Sequence, residues 1–226
     1  MCLIVLAWRA HPRFPLVVAA NRDEYHGRPA AQAGFWGDQP SILAGRDLEA
    51  MGTWMGVSRD GRFAAVTNYR GAREPRAVES RGALVARFLT NGSAPGRYAA
   101  EIADRGADYS GFNLLAAAGG ELWWYSNRDS APRRLEPGIY GLGNFLLDSE
   151  DVAESKARFA RAIESCVAVE TLLQVLAPAR IVAPEYGTRC STVLLAGQDG
   201  RAQYAERTFD AAGIEGETLR FELQLA

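Results

Sequence analysis

Three times along this 226-residue chain, two short runs rich in aliphatic, β-branched and aromatic residues are separated by a two-residue turn that ends in glycine. Gly52 to Ser58 and Arg62 to Asn68 flank Asp60-Gly61, Phe112 to Ala118 and Glu121 to Ser126 flank Gly119-Gly120, and Thr192 to Ala196 and Ala202 to Arg207 flank Asp199-Gly200. Such dipeptides favour the positive φ of tight hairpin turns, so three antiparallel hairpins are predicted. Helical periodicity falls between them. Ser80 to Thr90 sets Leu84, Val85, Phe88 and Leu89 on one stripe behind Ser80 as N-cap, and Tyr98 to Asp104 reads as a second short helix. Val152 to Val167 brings Val152, Phe159, Ile163 and Val167 near one face, with Cys166 expected toward the core; Val169 to Leu176 follows until Pro178 stops it. Runs of strands alternating with runs of helices point to an α+β fold of mainly antiparallel sheets with helices packed outside them.

A fourth hairpin opens the chain: Leu3 to Trp8 and Leu16 to Ala20, the second running into Asn21-Arg22-Asp23-Glu24. Removal of Met1, usual before a small residue, leaves Cys2 with both a thiol and a free α-amine. With unperturbed pKa values of about 8.5 and about 7.7 to 8.0, that amine can take the thiol proton near neutral pH, as in an N-terminal nucleophile. Antiparallel pairing brings Asp23, at the far end of the second strand, beside Cys2. Asn68, at the end of a predicted strand, and Asn144, after the glycine-rich strand or turn Gly138 to Gly143, are amide donors suited to an oxyanion. The same residues also fit simpler roles: Cys2 as the buried start of an edge strand, the quartet as a solvated charged turn, the two asparagines as turn residues. Tyr25 to Gln39, with its glycines and prolines, reads as an irregular loop, and Arg70 to Arg76 as a mobile one. Trp54, Tyr69, Trp36 and Phe35 fit either a pocket lining or the core.

Composition narrows the partners. Arg and Lys total 25 against 27 Asp and Glu, a formal charge of −2, which removes any global attraction to nucleic acid. Lys156 is the only lysine, so a phosphate loop ending in Gly-Lys and a Schiff-base enzyme are excluded. Three cysteines, Cys2, Cys166 and Cys190, and no CxxC pair argue against a disulfide framework and for a reducing compartment; no zinc-ligand spacing, HExxH or GxSxG occurs. The first apolar run is too short for a membrane span and has no basic segment before it. A single cytoplasmic domain over residues 1–226 is expected, with no metal and no cofactor.

Met-Cys-Leu-Ile at the start, Ala20 to Glu24, Arg28-Pro29, Ala44 to Asp47, Gly52 to Val57 and Thr67 to Arg70 together resemble the NRDE family, that of the transport and Golgi organisation protein of animals, with many bacterial members. Weaker similarity extends through Tyr140 to Asp148 and Thr188 to Val193. That family is similar in turn to N-terminal-nucleophile hydrolases of the penicillin V acylase and bile salt hydrolase branch, which implies a four-layer αββα sandwich. The resemblance implies Cys2 as nucleophile, Asp23 at the α-amine, and Asn68 and Asn144 around the oxyanion. Arg22, Arg189, Asn21, Tyr69 and Trp54 are the substrate-binding candidates, Arg22 standing one or two positions out of step with the hydrolases' arginine. Gly143 replaces the serine that usually precedes Asn144, and Ser149-Glu150-Asp151 replaces a Pro-Trp segment. The implied activity is an amidohydrolase acting on a linear amide or acyl compound. The alternative is a non-catalytic carrier of haem or another amphipathic ligand, for which His11, His26 or Cys2 would be the axial ligands.

Overall fold

In the computed structural model, residues 2–71 and 77–226 are described. In chain order they form β1 (Leu3–Trp8), β2 (Leu16–Tyr25), β3 (Ala30–Phe35), β4 (Ile42–Asp47), β5 (Met55–Ser58), β6 (Phe63–Asn68), α1 (Arg81–Thr90), α2 (Pro95–Asp104), β7 (Phe112–Ala118), β8 (Glu121–Ser126), β9 (Arg133–Arg134), β10 (Gly138–Leu142), α3 (Ala153–Ser165), α4 (Val169–Leu176), β11 (Tyr186–Ala196), β12 (Arg201–Phe209) and β13 (Glu215–Gln224). The chain divides into two compact units, one of Met1–Arg28, Pro137–Gly143 and Asp148–Leu225, the other of Pro29–Glu136, Asn144–Leu147 and Ala226.

The first unit is a six-stranded sheet in the order β10-β1-β2-β11-β12-β13, with every pairing antiparallel. β1 is an interior strand, because Ile4 pairs with Leu142 on one side and with Ala20 on the other. Strand alternation sends Leu3 and Val5 of β1, Val17 and Ala19 of β2, and Val193 and Leu195 of β11 to one face. There they pack on Phe159 and Ile163 of α3 and on Leu172 and Leu176 of α4. Ile4, Leu6, Val18 and Leu194, on the opposite face, are buried as well. Removing that much apolar surface from water is what holds these short strands together.

The second unit is a seven-stranded antiparallel sheet in the order β3 to β9. Ile42, Ala44, Ala64, Leu114 and Ala116 form a core with Leu84, Val85 and Phe88 of α1 and Tyr98 and Ile102 of α2. Ser80 caps α1 as expected, its Oγ accepting from Gly82 N at 3.3 Å.

The hairpins about Asp60-Gly61, Gly119-Gly120 and Asp199-Gly200 all form, with Gly61, Gly120 and Gly200 at φ of 76° to 79°. Three expectations need correction. The Tyr25 to Gln39 stretch contains β3, whose glycine sits at an irregularity between Ala31 and Gly34 on the sheet edge, where bulges and glycine are tolerated. The Asn21 to Glu24 quartet is no turn but the continuation of β2, held there by pairing with β11. Cys166 is exposed instead of facing the core, because α3 ends at Ser165 and the backbone turns extended at the next residue. The loop expected at Arg70 to Arg76 falls largely outside the described residues. Among the described residues, no helix is long and apolar enough to cross a membrane.

Candidate functional site

The end of the first sheet where β1 begins and β2 ends collects most of the polar residues singled out in the sequence. Leu3 pairs with Asn21, so the register continued by one residue sets Cys2 opposite Arg22. The half-buried Cys2 donates its thiol hydrogen to the carbonyl oxygen of Asp23, with Sγ at 3.5 Å. Asp23 is 3% exposed, and its carboxylate is fixed by Thr188, whose Oγ1 donates to Oδ1 at 2.6 Å while accepting from Ile181 N at 2.9 Å. Short charge-assisted bonds of this kind hold a buried carboxylate in one orientation.

A bulge arranges these neighbours. Asp23 pairs with Thr188 and Arg22 with Cys190, so Arg189 is an extra residue on β11. Thr188 and Cys190 therefore point to opposite faces of the sheet, one toward Asp23 and the other toward Arg22. Arg189 itself leaves the ladder, and its NH1 group donates to the carbonyl oxygens of Tyr25 (2.9 Å), His26 (3.2 Å) and Arg28 (3.2 Å), which secures the turn after β2. Asn21 points inward, with Nδ2 donating to Leu176 O at 3.2 Å and Oδ1 accepting from Ser191 Oγ at 2.6 Å, so its amide ties β2 to α4 and β11.

Electrostatics leave the thiol protonated at neutral pH. Burial pushes the Cys2 thiol up and the Asp23 carboxylate adds to this, while the Arg22 guanidinium pulls the other way. Arg22 is buried and lies 3.9 Å from the Glu24 carboxylate. Across β2, Cys190 is pushed well above the usual thiol range by burial and by Glu206, with Arg22 opposing, so it is an inert thiol. Glu206 and Thr192 complete this buried polar row, with Thr192 Oγ1 3.4 Å from Glu206 Oε2.

In the second unit, Asn144 Nδ2 donates to the carbonyl of Asn68 at 2.7 Å, and Arg70 N donates to the carbonyl of Asn144 at 2.6 Å. Asn113, not singled out from the sequence, binds Thr67 Oγ1 and Phe145 O through its Nδ2 at 3.2 and 2.8 Å. These bonds lace residues Asn144 and Phe145 to the ends of β6 and β7. Asn68 is exposed and Asn144 buried. The Tyr69 ring meets Phe145 edge-on at 6.2 Å, and Trp54 covers Gly45 so closely that a β-carbon there would come within 2.2 Å of the indole. His26 Nε2 lies 3.0 Å from Ala183 O, and His11 Nδ1 accepts from Arg13 N at 3.2 Å.

Thr188 and Cys190 lie in the Thr188 to Val193 segment that carries part of the resemblance, yet their partners on β2 are more than 160 residues away. Residues 1–180 match the family described as Transport and Golgi organisation 2. The chain belongs to that family. Its relatives include the Transport and Golgi organization protein 2 homologs of Bos taurus, 34% identical over 275 aligned residues, and of Homo sapiens, 33% identical, each alignment taking in 99% of this chain and 100% of the relative. The Drosophila melanogaster protein is 25% identical over 269 residues, 96% of this chain and 95% of its own. Among solved structures this family member is similar to the Caenorhabditis elegans N-acylethanolamine-hydrolyzing acid amidase ortholog, with a TM-score of 0.51 and 12% identity over 86% of this chain and 92% of that one. That likeness is one of fold, an α+β fold of the αββα type found in N-terminal-nucleophile hydrolases.

Proposed function

We propose that the chain is an N-terminal-nucleophile amidohydrolase that acts on a linear amide or related acyl compound, with Cys2 as the nucleophile once Met1 is removed. The observation that carries the reading is the Cys2 thiol against the Asp23 backbone, at the strand end where Thr188 holds the buried Asp23 carboxylate. A thiol that burial keeps protonated needs a base, and the α-amine of Cys2 would be the nearest one. In the first step the thiol proton passes to that amine and the sulfur attacks the substrate carbonyl carbon. Collapse of the tetrahedral adduct breaks the C–N bond, and the ammonium returns the proton to the departing amine, leaving a thioester. Water, deprotonated by the same amine, then cleaves the thioester and restores the thiol. Asp23 is the carboxylate that would hold the ammonium form in place. The worm protein is named for hydrolysing N-acylethanolamines, which makes N-acyl amides of that kind the first substrates to test.

The test compares a chain that begins at Cys2 with one in which an uncleavable residue precedes it, each given a panel of N-acyl amides and, separately, haem. Loss of the amine should slow hydrolysis by about 10² to 10⁴, and Cys2→Ala should abolish it. If the chain beginning at Cys2 hydrolyses nothing, and both forms and Cys2→Ala bind haem alike, the carrier reading replaces this one.

A further inference from the structure

One hydrogen bond beside Cys2 has no part in the chemistry above. Tyr186, the first residue of β11, pairs with Tyr25 at the end of β2, and its ring meets that of Tyr25 edge-on with centroids 5.3 Å apart. From there its side chain runs back along β2, and its hydroxyl donates to the carbonyl oxygen of Asp23 at 3.2 Å. This is the oxygen that accepts from the Cys2 thiol.

We propose that Tyr186 is a positioning residue for Cys2, its hydroxyl sharing the Asp23 carbonyl oxygen with the thiol and easing formation of the thiolate. The proposal rests on Cys2 being the reactive thiol of the reading above. A carbonyl oxygen has two lone pairs, so both donors can be accommodated while the sulfur is protonated. When Cys2 ionises, the sulfur stops donating and its negative charge faces the negative end of the carbonyl dipole. A donor on that oxygen draws off part of its charge and lessens the repulsion, and low local polarity magnifies the effect. The shared oxygen also fixes where the sulfur sits, because Tyr186 occupies the side of the oxygen that the thiol would otherwise be free to take.

The experiment measures iodoacetamide alkylation of Cys2 against pH on the chain beginning at Cys2, read from the mass of the N-terminal peptide, for the native protein and Tyr186→Phe. The ring and its contact with Tyr25 remain in the variant. A net hydrogen-bond effect of ordinary size predicts alkylation about 3- to 10-fold slower at pH 7 and a midpoint about 0.5 to 1 pH unit higher. The exposed Cys166 serves as the internal standard and should not change. A purely structural tyrosine would lower the thermal midpoint of unfolding and leave the pH profile of Cys2 in place, and that result overturns the proposal. Should Tyr186→Phe fail to fold, a ring-fluorinated tyrosine at 186, a stronger donor of nearly the same shape, should speed alkylation at neutral pH; an unchanged rate is equally fatal. Hydrolysis of N-acyl amides measured in parallel separates the two readings. A shifted profile without hydrolysis keeps the role of Tyr186 and removes the enzyme, whereas hydrolysis with an unshifted profile removes Tyr186 alone.

Discussion

Replacing Thr188 by Val leaves the size of the side chain unchanged and removes two hydrogen bonds, so the cost can be worked out without a cavity term. The Thr188 hydroxyl donates to Asp23 Oδ1 at 2.6 Å and accepts from Ile181 N at 2.9 Å. The first bond goes to a carboxylate that is 3% exposed, and bonds to buried charged groups contribute about 1.5 to 3 kcal/mol. The second is a neutral bond, at about 0.5 to 1.5 kcal/mol. Together they predict that Thr188→Val lowers the free energy of unfolding by about 2 to 4.5 kcal/mol, a large share of what a domain of this size possesses. Urea denaturation at pH 7 followed by tryptophan fluorescence measures it, with the slope m compared to confirm that the native state is intact. A double-mutant cycle with Asp23→Ala isolates the carboxylate bond and should return about 1.5 to 3 kcal/mol of coupling. A loss below about 0.5 kcal/mol, or no coupling, would show that the Asp23 carboxylate is held by something other than this hydroxyl, and the account of how the site is ordered would fail.

In the second unit, hydrogen bonds from Arg87, Arg105 and Tyr109 hold the Glu79 carboxyl at about 2 instead of its ordinary 4.5. A depressed pKa gives stability that is complete above the unfolded value and is lost as pH falls from about 4.5 toward 2; the shift caps it at about 3 kcal/mol, and the exposure of Arg87 (38%) and Arg105 (46%) brings it to about 1 to 2. Glu79→Gln should therefore be destabilised at pH 7 and converge on the native protein only at about pH 2 and below, and a difference independent of pH would contradict the pairing. For the thiols, Cys166 should be alkylated readily in the folded protein and Cys190 only on unfolding, as peptide masses would reveal; equal labelling of the two would contradict the burial of Cys190 beside Glu206.

What could be read from the sequence was what is encoded locally. A hairpin needs only its turn and the two runs beside it, so the pairs about Gly61, Gly120 and Gly200 were legible, as were the Ser80 cap of α1 and the bounds of α4. The N-terminal hairpin and the nearness of Asp23 to Cys2 followed from the same logic, since β1 and β2 are consecutive. The quartet at the end of β2 misled because its strand character is imposed from outside: Asp23 is paired with Thr188, and polar residues look like a turn until their distant partners are known. Cys166 misled for the opposite reason. The apolar stripe of α3 predicted its facing, but the helix ends one residue earlier and the stripe no longer applies. Tyr186, Thr188 and Glu206 gave no signal of their role, because each acts through a residue on another strand and neither spacing nor composition records that register.

The bulge at Arg189 makes this position answer to two different kinds of change. A substitution there alters the guanidinium that binds three carbonyls after β2, and the rest of β11 keeps its place. A deletion would remove the bulge itself: without the extra residue, Cys190 follows Thr188 directly, still opposite Arg22, and Ser191 to Ala196 keep their partners on β2. Val193 and Leu195 would stay on the helices they pack on and Cys190 would keep its face beside Arg22, while the three bonds to the carbonyls after β2 and the local bend of β11 would go. Position 189 is therefore a clamp carried on a residue that the ladder does not need for its phase, and related chains should either keep an arginine there or drop the position without any change in how the rest of β11 pairs.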